Sequence, residues 1–89
     1  MKFEWDAAKA ATNLAKHGVS FEDAAQVFHD ELSATFPDPD HSRGEHRFIT
    51  YGLVADGRLL VVSHTERKDL IRFISARPAT KKERQRYEN

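Results

Sequence analysis

The stretch RLLVVSHTERKDLIRFISARPATKKERQRY, Arg58 to Tyr87, decides the fold. Arg58 to Glu66 and Leu70 to Arg77 are rich in Val, Ile, Leu and Phe over strand-length runs, so each reads as a β-strand. Pro78 then interrupts the pattern, and Thr80 with Glu83 forms a capping box that opens a basic helix from Lys81 to about Tyr87. Arg67, Lys68, Arg72, Arg77, Lys81, Lys82, Arg84 and Arg86 all fall inside this stretch. Because successive strand residues point to opposite faces, this interleaving predicts a sheet that is apolar on one side and cationic on the other.

One step toward the N-terminus, His46 to Val54 alternates as a third strand and meets the first of the pair at Asp56-Gly57. That dipeptide predicts a two-residue type I′ hairpin. Pairing Ala55 with Arg58 then sets Leu53 opposite Leu60, Tyr51 opposite Val62, Ile49 opposite His64 and Arg47 opposite Glu66. An even-numbered connection around Arg67 and Lys68 carries the same parity into the last strand. One face is thus expected to hold Arg47, Ile49, Tyr51, Leu60, Val62, His64, Ile71, Phe73 and Arg77, its middle being the core. Arg72, Ser63 and Thr65 are expected on the thinner, opposite face.

The N-terminal half supplies the cover. Phe3 and Trp5 alternate with Lys2 and Glu4 as a short strand, and Asp6 stands where a helix N-cap belongs. Ala7, Ala10, Ala11 and Leu14 follow at helical spacing until Gly18, expected to be a left-handed C-cap. Ser20 and Asp23 cap a second helix whose stripe is Phe21, Ala24, Ala25 and Phe28. Leu32, Ala34 and Phe36 alternate as another strand, which Pro37 stops. The loop Pro37 to Glu45 contains Asp38, Asp40 and His41, which have ligand chemistry without the ligand count of a metal site, and no metal is expected. The chain reads as α+β, in the order β-α-α-β-β-β-β-α, with helices on one face of an antiparallel sheet.

Eighty-nine residues bound this to a single domain, 1–89. No cysteine is present, which excludes disulfides, thiolate-ligated zinc and thiol catalysis. No apolar run approaches 18 residues and the start is unlike a leader, so a soluble, cytoplasmic protein with no membrane contact is expected. The formal net charge is zero, yet residues 1–42 carry three lysines and eight acids, net −5, whereas residues 43–89 carry eleven Lys or Arg and six acids, net +5. A basic half of this kind suits a polyanion such as nucleic acid.

WDAAKAATNLAKHGVSFEDAAQVF (residues 5–28), TFPDPDHS (35–42), RLLVVSHTER (58–67), IRFISAR (71–77) and ATKKERQRYE (79–88) together resemble the BrnT family, toxins of BrnT–BrnA type II toxin–antitoxin systems. The resemblance is continuous over nearly the whole chain. It implies a RelE-like fold and a ribonuclease that halts translation by cutting RNA. It also implies a BrnA-like ribbon-helix-helix antitoxin, with operator DNA contacted through that antitoxin.

Metal-free RNA cleavage by the ribose 2′-hydroxyl needs a proton acceptor, a cation on the developing phosphorane and a proton donor for the leaving oxygen. Arg72 is the first candidate for the cation, because its fork can hold phosphate oxygens bidentately from the thinner face. Arg77 at the strand end and Tyr87 on the last helix are further catalytic candidates. His64 has suitable proton-transfer chemistry, but the expected register also allows a buried structural histidine. Arg67, Lys68, Lys81, Lys82 and Arg84 are candidate RNA-backbone contacts, or solvated surface charges. No cofactor is expected, since no Gly-rich phosphate loop or metal-binding helix occurs. The alternative is a non-catalytic module that docks nucleic acid or an antitoxin through its basic half.

Overall fold

The computed structural model describes residues 1–41 and 44–88; Ser42 and Arg43, within the loop expected from Pro37 to Glu45, and Asn89 lie outside the described residues. The elements are β1 (Lys2–Glu4), α1 (Ala7–His17), α2 (Phe21–Ala25), β2 (Ala34–Pro37), β3 (Arg47–Leu53), β4 (Leu59–Arg67), β5 (Leu70–Pro78) and α3 (Lys81–Glu88). Their order is the one expected from the sequence and agrees with a RelE-like arrangement.

Local capping explains the helix limits. The Asp6 carboxylate accepts from the Ala8 and Lys9 amides at 2.8 and 3.1 Å, and Gly18 ends α1 at φ 70° while its N–H reaches the Leu14 carbonyl. Ser20 Oγ accepts from the Asp23 amide to start α2, which tightens after Ala25 into a 3₁₀ turn, Gln26–His29. At α3 the capping box is reciprocal: the Thr80 N–H donates to Glu83 Oε1 and the Glu83 N–H to Thr80 Oγ1.

The five strands lie in the order β1-β5-β4-β3-β2. β2 to β5 are antiparallel to their neighbours as expected, but β1 runs parallel to β5, pairing Phe3 with Ile71, so the sheet is mixed. No hairpin constrains the direction of β1. Its placement brings Phe3 and Trp5 onto Phe73, at centroid separations of 5.4 and 5.6 Å, in a cluster shared with Phe21 and Phe28.

Two irregularities correct the expected faces. The β3–β4 connection has three residues, not two: the Val54 N–H donates to the Arg58 carbonyl, the Gly57 N–H to the Val54 carbonyl, and Gly57 has φ 90°. A three-residue loop with glycine in the left-handed position shifts register by one residue. Leu53 therefore pairs with Leu59, Tyr51 with Val61, Ile49 with Ser63 and Arg47 with Thr65. A one-residue slip exchanges faces along the whole strand, so Thr50 and Gly52 face the helices, and Arg47, Ile49 and Tyr51 face away.

The β4–β5 turn, Lys68-Asp69, keeps the even parity expected, with Arg67 opposite Leu70 and Lys68 at φ 56°. The second irregularity follows within the pair. His64 pairs with Phe73 while Ser63 pairs with Ser75, leaving Ile74 as an extra residue. Arg72 and Arg77 are an odd number of residues apart and would lie on opposite faces of a regular strand. The bulge puts them on one.

The helix-covered face carries the core: Leu60, Val62, Ile71, Phe73 and Ala76 against Val19, Phe21, Ala24 and Val27. Gly52 is required there, since a Cβ at this position would lie 2.8 Å from Val27 Cβ and 2.9 Å from the Val27 carbonyl oxygen. Because the obstruction includes backbone, Gly52→Ala should lower stability by about 2 kcal/mol in urea unfolding, and an unchanged midpoint would contradict this packing. α3 lies over the other face, where Glu83 meets Tyr51 and Arg77.

Candidate nucleic-acid interface

The face turned away from α1 and α2 is built in register rows. Arg47, Thr65 and Arg72 form one row across β3, β4 and β5, ending at Glu4 of β1. Phe36, Ile49, Ser63 and Ser75 form the next, and Ala34, Tyr51, Val61 and Arg77 the third. Residues in one row are neighbours on the same surface. Cations thus stand at both ends of a strip whose middle is hydroxyl-bearing and apolar.

Arg72 Nη1 lies 3.1 Å from Glu4 Oε1, with both side chains nearly half exposed. An ion pair this open contributes only about 0–1 kcal/mol, so an incoming phosphate can replace Glu4 at little expense. Arg77 is held differently. Its two Nη atoms donate to the two oxygens of Glu83 at 2.8 and 3.0 Å, while Tyr51 Oη donates to Glu83 Oε2 at 3.3 Å. The Arg77 guanidinium, helped by the Thr80 N–H and opposed by burial, holds Glu83 down at about 2. Burial and the Glu83 charge push the Tyr51 hydroxyl up. Glu83 is therefore an anion through the physiological range, and Arg77 and Tyr51 are its fixed donors.

The other candidates are dispersed. His64 is fully buried on the helix-covered face, in contact with Phe28 and Phe48 rings, and Nε2 shares a 2.7 Å hydrogen bond with Thr50 Oγ1. Arg72 and His64 consequently lie on opposite sides of the sheet and do not meet one phosphate. The Tyr87 hydroxyl donates to Asp30, and burial followed by the Asp30 carboxylate pushes it up to about 12. Asp30 also accepts from the Leu53 and Leu32 amides, bonds that outweigh burial and keep its pKa low. Arg67 pairs with Glu45 at 3.3 Å beside the Lys68 turn, and Lys81, Lys82 and Arg84 are exposed on α3, with Arg84 3.6 Å from Glu88. In the loop before β3, His41 Nδ1 contacts Asp38 at 3.0 Å. Among the described residues no three His, Asp or Glu side chains come together as a metal site.

Tyr51, Arg47 and Glu83 had no place in the expected site. The first two were assigned to the core-bearing face by the hairpin register, and Glu83 was read only as a cap. No local signal could have found them: beside Ile49, Tyr51 and Leu53, the small or polar Thr50 and Gly52 read as the solvent side of the strand, and only the observed pairing reverses this.

Fold and face together define a small α+β protein that presents a cationic sheet surface, with α1 and α2 behind it and α3 over part of it. The chain belongs to the BrnT family: the family described as "Ribonuclease toxin, BrnT, of type II toxin-antitoxin system" matches residues 5–83. The structure is similar to that of the Brucella abortus ribonuclease toxin, BrnT, solved by crystallography, with a TM-score of 0.71 and 26% sequence identity over 91% of this chain and 99% of that one. No curated protein matches the chain. Membership of a type II toxin–antitoxin family entails an antitoxin partner and, for a ribonuclease toxin, an RNA target. Among the described residues no helix is long and apolar enough to cross a membrane.

Proposed function

We propose that this chain, acting as one domain over residues 1–89, is an endoribonuclease that cuts RNA on the open sheet face without a metal ion and so inhibits translation. The observation that carries the reading is the β5 bulge, which places Arg72 and Arg77 on the same surface. Opposite them Thr65 and Val61 are four residues apart on β4, so roughly 13 Å of sheet at 3.3 Å per residue separates the two. They hold non-adjacent phosphates along one RNA strand.

In this reaction the 2′-hydroxyl gives its proton to water as its oxygen bonds to the adjacent phosphorus, and the bond to the 5′-oxygen breaks, leaving a 2′,3′-cyclic phosphate and, once that oxygen takes up a proton, a 5′-hydroxyl. Arg72 leaves Glu4 and stabilises the charge on the non-bridging oxygens. Arg77 is oriented by Glu83. His64 is sealed behind the sheet, the Tyr87 hydroxyl is engaged by Asp30 and the Tyr51 hydroxyl by Glu83 beside Arg77, so in this reading water at Arg72 protonates the leaving oxygen. Arg67 and Lys68 at one end of the face, and Lys81, Lys82 and Arg84 at the other, hold the flanking backbone. The natural restraint is a BrnA-like ribbon-helix-helix antitoxin that covers the cationic face in the cytoplasm and brings operator DNA to the complex.

A non-catalytic docking module is the second reading, favoured by the internal ion pairs that both arginines already make. Purified chain incubated with RNA in EDTA separates them: cleavage with mapped 5′ ends is expected, whereas salt-sensitive binding without scission supports the module. Arg72→Ala should lose at least tenfold in rate, about 1.4 kcal/mol of transition-state stabilisation. Undiminished cleavage by that variant removes Arg72 from catalysis.

A further inference from the structure

Beside the Arg77–Glu83 pair a groove of about 390 Å³ opens between the β2–β3 edge and α3. Phe36, Ile49 and Tyr51, with Leu32 from the turn before β2, form one wall, and Glu83, Arg86 and Tyr87 the helix wall. Leu32 and Phe36 are 76% and 53% exposed, so two of the few large apolar side chains left in solvent among the described residues border one depression. Grouped exposure of this kind marks a binding site. The Phe36 and Tyr51 rings meet edge to face at 6.0 Å, which fixes the Phe36 ring on the open surface.

We infer that this groove receives one unpaired nucleobase of the bound RNA, stacked on Phe36, and that it sets base preference beside the phosphate held by Arg77. The inference rests on the reading of the open face as an RNA surface. Three observations favour a base over an apolar protein segment. Glu83 lines the groove and also holds Arg77, so the slot adjoins the proposed phosphate contact. Arg86 lines the slot, and Lys81 and Lys82 are exposed on the same helix, so a polyanion threading past meets cations on α3 as well as on the sheet. The wall also combines aromatic rings with carboxylate, guanidinium and phenol groups, which suits a flat heterocycle with polar edges. Exposed aromatics on a sheet face are a recurrent platform for unstacked bases.

The test uses a fluorescent single-stranded oligonucleotide made uncleavable by 2′-deoxy substitution, with binding read by anisotropy. Phe36→Ala should weaken binding at least about fivefold, the effect of losing one stacked base, while Phe36→Trp restores it. An abasic site at one oligonucleotide position should weaken binding to the unmodified protein by a similar factor and to Phe36→Ala by almost nothing. Matching urea midpoints establish that the exposed substitution leaves the fold intact. Equal binding by Phe36→Ala, additive effects of the two changes, or no oligonucleotide binding by the unmodified protein overturns the inference. So does a Phe36→Ala protein that loses antitoxin affinity while keeping oligonucleotide affinity, which identifies the groove as a protein dock. None of these readouts requires cleavage, so failure of the nuclease reading in EDTA is seen separately.

Discussion

Replacing Asn13 by alanine is expected to lower the stability of the protein by roughly 3 kcal/mol. Asn13 lies in the middle of α1 and is only 6% exposed. Its Nδ2 donates to the carbonyls of Ala76 and Val19 at 2.8 and 3.0 Å, and its Oδ1 accepts from the Ala76 N–H at 3.0 Å. β1 pairs with β5 only from Leu70 to Arg72, so the outer edge of β5 at Ala76 has no strand beside it. The side-chain amide takes the place of a peptide unit, giving Ala76 both a donor and an acceptor. Alanine leaves three backbone groups without that partner, each worth about 1–3 kcal/mol when buried. Water entering the gap and the better helix propensity of alanine, about half a kcal/mol, return part of the loss. Asn13→Asp should be worse still near neutral pH, because a carboxylate would then face two carbonyl oxygens. Urea unfolding and amide exchange at Ala76 check this. A loss below about 1 kcal/mol, with the Ala76 amide still protected, would mean that the edge is held by other contacts. Because the next residue is Arg77, this helix residue also positions the proposed site.

Acidification between pH 6.5 and 4 should remove roughly 3 kcal/mol of stability through His64 alone. Burial among apolar rings lowers the imidazole from 6.5 to about 4. Its Nδ1 has no hydrogen-bond partner among the described residues, and Glu66 Oε1 stands 3.7 Å away. The folded protein thus favours the neutral ring. Above pH 6.5 both folded and unfolded chains carry it neutral and the stability is complete. As pH falls below 6.5 the unfolded chain binds a proton that the folded one refuses, so stability declines until the folded ring titrates near 4. Glu83 acts in a lower window, its contribution being present above 4.5 and lost as pH falls toward 2. Urea titrations at pH 7, 5 and 4 with His64→Gln as the reference read the difference. An identical pH slope in the two proteins would show that His64 is protonated as easily folded as unfolded. The same neutrality keeps His64 from serving as a cation toward phosphate at pH 7.

The hydrogen-bond chain from His64 through Thr50 to Thr35, with Thr50 and Thr35 at 2.7 Å, shows why a polar residue can sit in this core. Each hydroxyl can donate onward, and the last of them reaches the exposed strand β2. A buried imidazole joined to solvent through two threonines satisfies one nitrogen without a charge.

Helix limits, caps and element order were legible in the chain because they depend on neighbours within four residues: Asp6, Gly18, Ser20 and the Thr80–Glu83 box all act locally. Leu60, Val62, Ile71 and Phe73 were assigned to the core correctly, and Arg72 to the opposite face, since strand alternation needs only the parity of β4 and β5 near their turn. The face of β3 was not legible. Asp56-Gly57 serves equally in a two-residue and a three-residue loop, and the run Leu59 to Val62 is apolar at every position, so it offers no periodicity with which to choose between registers. Nor does any residue announce the bulge at Ile74.

By itself, then, the sequence determined an α+β chain with a charge-divided basic half and helices that start and stop at named caps, because local sterics and hydrogen bonding act over a few residues. The tertiary structure decided which cations share a surface. Arg72 joins Arg77, Tyr51 meets Glu83 and Arg47 leaves the core-bearing face. These three outcomes turn on single-residue offsets in strand pairing, set by the packing of whole faces, such as Val27 against Gly52, rather than by any local preference.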